Sequence, residues 1–158
     1  MRVGQGFDVH RFKRGDYITL AGVKIPFSQG IEAHSDGDVM LHALCDALLG
    51  AAGLGDIGQH FPDTDPQYEN ADSRKFLRQI NQLLKQHHYR ILNIDMTLIA
   101  QAPKIAPYRD LMREHLALDL DLSPLQINIK ATTTEHLGFC GRGEGIAAMA
   151  IVCIEAVG

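Results

Sequence analysis

Asp8 and His10 stand two residues apart in a segment with strand-like alternation, so both side chains leave the same face and can chelate one cation. His42 lies within an apolar, helix-like run in which Asp38, His42 and Asp46 fall four apart and share one stripe. A polar stripe on an otherwise apolar helix needs a reason. Zinc supplies one, held by a carboxylate oxygen of Asp8 and the imidazole nitrogens of His10 and His42, with a fourth position left for a substrate oxygen. Asp46, one turn from His42, is then placed to orient an imidazole. Two other readings use the same residues: Asp38 as a rival ligand within the metal reading, or no metal at all, with His10 ending a strand at the surface and His42 a hydrogen-bonded core histidine.

Four further segments bear on the chemistry. His34 and Ser35 sit at the entry of the helix that bears His42, where free backbone donors and the positive dipole end favour an anion such as phosphate, although Asp36 and Asp38 offer negative charge there and suit plain capping. Ala100 to Ala106 ends a strand and is interrupted by Pro103, which leaves main-chain groups free to meet the edge of a base or simply connects a strand to a helix. Thr132 and Thr133 read as hydroxyl-bearing residues that close a strand. Gly138 to Gly145 has the glycine density of a phosphate cradle but lacks the Lys-Ser/Thr ending of a P-loop, which excludes kinase and ATPase chemistry.

These residues must be positioned by a short chain. At 158 residues, with 46% hydrophobic and 22% charged side chains, the sequence is that of one globular domain spanning 1–158. A net charge of −4 with scattered basic residues argues against nucleic acid as a partner. No apolar run approaches the roughly 20 residues that cross a bilayer, and Met1 leads into Arg2-Val3-Gly4 without a signal-peptide core, so neither membrane association nor export is expected and the location is cytoplasmic. Cys45, Cys140 and Cys153 lie far apart and read as reduced packing residues.

A strand from Val3 to Val9 and a hairpin from Tyr17 to Ile25 open the chain. Ser35 and Asp38 resemble a capping box for a buried helix that ends near Gly50 to Gly53. A breaker-rich loop runs from Asp56 to Pro66, and Asp72-Ser73 starts a helix carrying Phe76, Leu77, Ile80, Leu83 and Leu84. Strands follow at Tyr89 to Ala100, Leu125 to Ala131 and Ile146 to Val157, with a helix after Pro107. This order predicts an α+β fold, a mixed β-sheet with helices on one face, and a second face covered by neighbouring copies.

The strings Gly6-Phe7-Asp8-Val9-His10, Ala33-His34-Ser35-Asp36-Gly37-Asp38-Val39 and Leu41-His42-Ala43 together resemble the 2-C-methyl-D-erythritol 2,4-cyclodiphosphate synthase family of the non-mevalonate isoprenoid pathway. The resemblance continues through Gly53 to Gly58, Phe61 to Asp65, Ala71 to Ser73, Ile99 to Lys104, Ala131 to Glu135 and Leu137 to Gly145, with Cys140 where threonine is expected. It implies a homotrimer whose sheets meet around the axis and whose active sites lie between subunits. It also implies zinc on Asp8, His10 and His42, with Asp38 and Asp46 in support, and magnesium or manganese on Glu135 beside a diphosphate.

The implied reaction converts 4-diphosphocytidyl-2-C-methyl-D-erythritol 2-phosphate to the 2,4-cyclodiphosphate and CMP, a lyase reaction with His34 and Thr133 stabilising the transition state. Substrate contacts fall to Ser35, Asp56, Ile57, Gly58, Phe61, Pro62, Asp63, Thr64 and Asp65. Ala100, Gln101, Ala102, Pro103, Lys104, Ile105 and Ala106 form the cytidine pocket, contributed by the adjacent subunit, with Thr132 and Thr134 also touching substrate. Phe139 and Arg142 face a central trimer cavity that can take an isoprenoid diphosphate. Two rival functions use the same ligands: a zinc phosphohydrolase of nucleoside diphosphate derivatives, and a non-catalytic trimer that binds isoprenoid diphosphates.

Overall fold

A computed structural model describes all residues from Met1 to Gly158. Its frame is a five-stranded mixed sheet in the order β4-β1-β7-β5-β6, formed by β1 (Arg2–Lys13), β4 (Gly30–Glu32), β5 (Tyr89–Ile99), β6 (Ile127–Thr132) and β7 (Gly145–Ala156). All neighbours are antiparallel except β5 and β6. That parallel pair requires a crossover, supplied by α4 (Arg109–Leu120). The expected hairpin forms separately from β2 (Tyr17–Leu20) and β3 (Val23–Pro26), turning at Ala21 and Gly22, both with positive φ.

Helix α1 (Val39–Ala52) is apolar nearly all round because it is buried between the sheet and α3 (Ser73–Gln86). Its seating is dictated by two glycines of β1: a Cβ on Gly4 would meet the Ala47 carbonyl oxygen at 1.9 Å, and one on Gly6 the Ala43 carbonyl oxygen at 1.9 Å. Gly4, Gly6, Asp8 and His10 share a strand face, so the glycines bring the helix backbone onto the strand and carry His42 over Asp8 and His10. The alternating Val3, Phe7 and Val9 point the other way and are 66%, 50% and 41% exposed. With Met149 and Ile151 they form an open apolar face, while α1, α3 and α4 close the core on the opposite side.

The start of α1 differs from expectation. Asp38, not Ser35, is its cap: the Asp38 carboxylate accepts from the Leu41 N–H at 3.0 Å. The side chain also accepts from Ala21 N–H at 2.9 Å and Gly22 N–H at 2.7 Å, tying the hairpin turn to the helix. An ionisable carboxylate satisfies three buried donors where one serine hydroxyl cannot. Gly53 ends the helix in the left-handed region at φ 73. The loop after it contains a single-turn helix, α2 (Ile57–His60), and the Gly138 segment forms another, α5 (Gly138–Gly141). Strand β4 was not foreseen; three residues carry too little periodicity to register.

Candidate active site

Asp8 Oδ2 lies 3.1 Å from His10 Nδ1 and 3.3 Å from His42 Nδ1, so the strand pair and the helical histidine converge as anticipated. The three side chains present ligand atoms within 4.8 Å of one another. Asp8 Oδ2 and His10 Nδ1 are buried without a hydrogen-bond partner, although they lie only 3.1 Å apart. Buried polar atoms are seldom left so. A divalent cation satisfies both, and one oxygen with two imidazole nitrogens is a donor set suited to a catalytic metal. Burial alone would push the Asp8 carboxyl up, but the two imidazoles outweigh it and hold it at about 2. Burial depresses His42, and Asp8 more than reverses this, raising its proton affinity.

The supporting aspartates do other work than expected. Asp38 is fully buried and its carboxylate is committed to three backbone donors, which removes it as a ligand. Burial first, and the charge of Asp36 second, raise it to about 7. Asp46 does not orient an imidazole; it accepts from the Ile57 N–H at 2.8 Å and anchors α2. The Nε2 of His42 instead meets Ser73 Oγ at 2.8 Å and Ser35 Oγ at 3.2 Å. Sequence reasoning missed Ser73 and Asp36 as site residues, since nothing in a linear pattern pairs positions 31 and 37 residues apart.

The triad opens into a cavity of about 440 Å³ lined also by His34, Ser35, Ile57, Gly58, Phe61, Pro62 and Asp63. His34 Nε2 lies 3.1 Å from the Asp65 carbonyl oxygen, to which the ring donates. Tyr68 and Phe76, also missed, complete the wall: Phe61 stacks on Phe76 at 4.5 Å between centroids, with Tyr68 edge-on to both. Asp56, Thr64 and Asp65 do not line this cavity. Asp56 caps α2 through Gln59 N–H, and Asp65 caps the next turn through Gln67 N–H.

A second cavity of about 250 Å³ sits at the ends of β5 and β6. Ala100, Gln101, Pro103, Lys104, Ile105, Ala106, Thr132 and Thr133 line it, together with Arg109, while Ala102 and Thr134 do not. Gln101 Oε1 accepts from the N–H groups of Thr134 and His136 at 3.0 and 3.3 Å, fixing the turn after β6. In that turn Glu135 is exposed and its N–H donates to Thr133 Oγ1 at 3.2 Å. Phe139 is partly exposed, and Arg142 pairs with Glu144 at 2.8 Å. The two cavities share no residue, and β7 lies between the strands that carry them.

The family model described as the YgbB family matches residues 1–155. The chain belongs to the YgbB family. Relatives named 2-C-methyl-D-erythritol 2,4-cyclodiphosphate synthase include a Methylococcus capsulatus protein, 60% identical over 153 residues covering 97% of both chains. One from Azotobacter vinelandii is 57% identical over 157 residues, covering 99% of this chain and 100% of its own. Among solved structures, the bifunctional IspDF of Campylobacter jejuni superposes with a TM-score of 0.94 at 46% identity, over 98% of this chain and 42% of that one. An IspF of Plasmodium falciparum in a CDP complex superposes with a TM-score of 0.87 at 36% identity, over 99% and 97%. The YgbB fold is thus that of the whole chain, and the residues of both cavities lie inside the matched span. No helix is long and apolar enough to cross a membrane.

Proposed function

We propose that this chain catalyses the reaction its relatives are named for, converting 4-diphosphocytidyl-2-C-methyl-D-erythritol 2-phosphate to 2-C-methyl-D-erythritol 2,4-cyclodiphosphate and CMP. The observation that carries the reading is the convergence of Asp8, His10 and His42, with Asp8 Oδ2 and His10 Nδ1 buried and unpartnered, at the mouth of a cavity large enough for a sugar phosphate. An oxygen of the 2-phosphate attacks the β-phosphorus, the bond from that phosphorus to the bridging oxygen breaks, and CMP leaves as a phosphate anion. The nucleophile is the substrate's own, so the protein need only position the groups and neutralise charge. This makes it a phosphorus–oxygen lyase.

Zinc on Asp8, His10 and His42, and magnesium or manganese on Glu135, would supply the positive charge that lets two anionic phosphates approach. His34 borders the triad cavity, where its ring N–H can turn from the Asp65 carbonyl to a phosphate oxygen. Ser35 adds a hydroxyl beside it, and Ile57, Gly58, Phe61, Pro62 and Asp63 form the wall facing the sugar. Lys104 and the Thr133 hydroxyl belong to the second cavity, which has the main-chain edge suited to a cytosine.

Because one chain keeps its two cavities apart, the reading includes a homotrimer in which the second cavity of one copy faces the triad of the next. The open apolar face of β1 and β7 supports it, since a surface with Val3, Phe7, Val9 and Ile151 uncovered marks an interface. Phosphorus NMR of the products tests the function. The cyclic diphosphate with CMP is expected; a linear bisphosphate bearing a solvent-derived oxygen would instead make the chain a phosphohydrolase.

A further inference from the structure

We infer that Asp36 and Ser73 are positioning residues that fix which ring nitrogen of His42 carries its proton, leaving Nδ1 bare for the cation; the inference rests on the metal reading above. The polarity of the contacts decides it. Asp36 Oδ1 accepts from the Asp38 N–H at 3.1 Å, and Oδ2 accepts from the Ser73 N–H at 3.0 Å. Both carboxylate oxygens face donors, so the 2.5 Å contact between Ser73 Oγ and Asp36 Oδ1 is made by the serine hydrogen. A hydroxyl has only one hydrogen to give. At 2.8 Å from His42 Nε2, Ser73 Oγ therefore has only lone pairs to offer, and Nε2 must be the donor. A neutral imidazole protonated at Nε2 has a bare Nδ1, the atom that faces Asp8 and the ligand cluster.

Ser73 is not needed for the helix it begins. Asp72 already caps α3 through the Arg74 N–H at 2.9 Å, yet Ser73 is wholly buried, with its hydroxyl turned to His42 and Asp36. Ser35 Oγ, 3.2 Å from the same nitrogen, is a longer alternative acceptor that itself receives the Gly37 N–H at 3.4 Å. The relay thus links the entry of α1 to the first turn of α3, and it holds the ring by Nε2 alone. Outer partners of this kind commonly change metal affinity about 10–100-fold when removed.

The test has two readouts. In metal-free wild-type protein, at a pH where the ring is neutral, nitrogen-15 NMR of His42 should show the Nε2–H tautomer; an Nδ1–H tautomer overturns the relay. Zinc competition against a chromophoric chelator should show affinity weakened about 10–100-fold in Ser73→Ala, with Ser73→Thr, which keeps the hydroxyl, recovering most of it. Asp36→Asn must set an amide N–H against one of its present donors, so it too should bind zinc more weakly. Wild-type affinity in both Ser73→Ala and Asp36→Asn overturns the inference. The NMR readout uses no metal, so it judges the relay even if zinc uptake by the wild type fails and the metal reading falls.

Discussion

The two cavities on either side of β7 are built differently. Around the triad, every side chain is held from behind: Asp8 and His10 by a strand locked under α1 through Gly4 and Gly6, and His42 by Ser73 and Ser35. Around the second cavity, Thr133, Glu135 and Leu137 stand exposed on a turn held chiefly by Gln101. The first is a finished half-site with a void; the second is a shaped surface. Catalytic electrostatics need a water-excluded enclosure, so the second surface becomes a site only when another body covers it.

Breaking the triad should have the largest effect. Asp8→Ala or His42→Ala should lower turnover by at least about a thousandfold, the scale of a lost metal contribution. Melting temperature should move little, because the triad borders an open cavity and none of its three side chains belongs to the hydrophobic core. A variant without bound metal that still releases CMP at the wild-type rate would remove the triad from the chemistry.

Asp38→Ala attacks the frame of the same half-site instead. It leaves three buried N–H groups unpartnered, at about 1–3 kcal/mol each before relaxation; a net loss near 3 kcal/mol would lower the melting temperature by roughly 6–12 °C. A shift under about 2 °C in calorimetry would show that water or backbone movement replaces the carboxylate.

On the other side of β7, Thr133→Ala should reduce kcat by about 10–100-fold at a KM within a few-fold of wild type, the mark of a contact that strengthens in the transition state. Equal rates would confine Thr133 to shape. The smallest effect concerns the strands that carry this cavity. Asp95 is held below the usual carboxylate range chiefly by the Lys130 ammonium, with Asn128 adding a second contact. A depressed carboxyl contributes stability above its unfolded value that is lost as pH falls through the folded one. Urea midpoints of wild type and Asp95→Asn should therefore converge below about pH 4, with a gap within about 1 kcal/mol above it after solvent screening. A gap that widens in acid would contradict the assignment.

The sequence made the convergence of the triad legible because Asp8 and His10 share a strand face and His42 a helix stripe, so chemistry and period coincide. Most elements were legible for the same reason: α3 begins at Ser73 behind its Asp72 cap and buries Phe76, Leu77, Ile80 and Leu84 as its spacing requires. What was not legible depends on which elements meet. Ser35 was read as the cap since it leads a capping-box pattern, but the β2–β3 turn brings two more donors to Asp38, and only the folded chain reveals them. Asp46 shares a stripe with His42 yet reaches Ile57. The contacts of Asp36 with Ser73 and of Phe61 with Phe76 join distant segments by packing, which leaves no periodic trace.

Mixing two defective variants tests most directly whether the reaction uses one finished half-site and one borrowed surface. His42→Ala and Thr133→Ala, co-refolded so that copies assort at random, should restore about a quarter of the sites in a cyclic trimer, and CMP release should rise well above that of either variant alone. Activity no greater than the average of the separate variants would place both halves within a single chain and contradict the account.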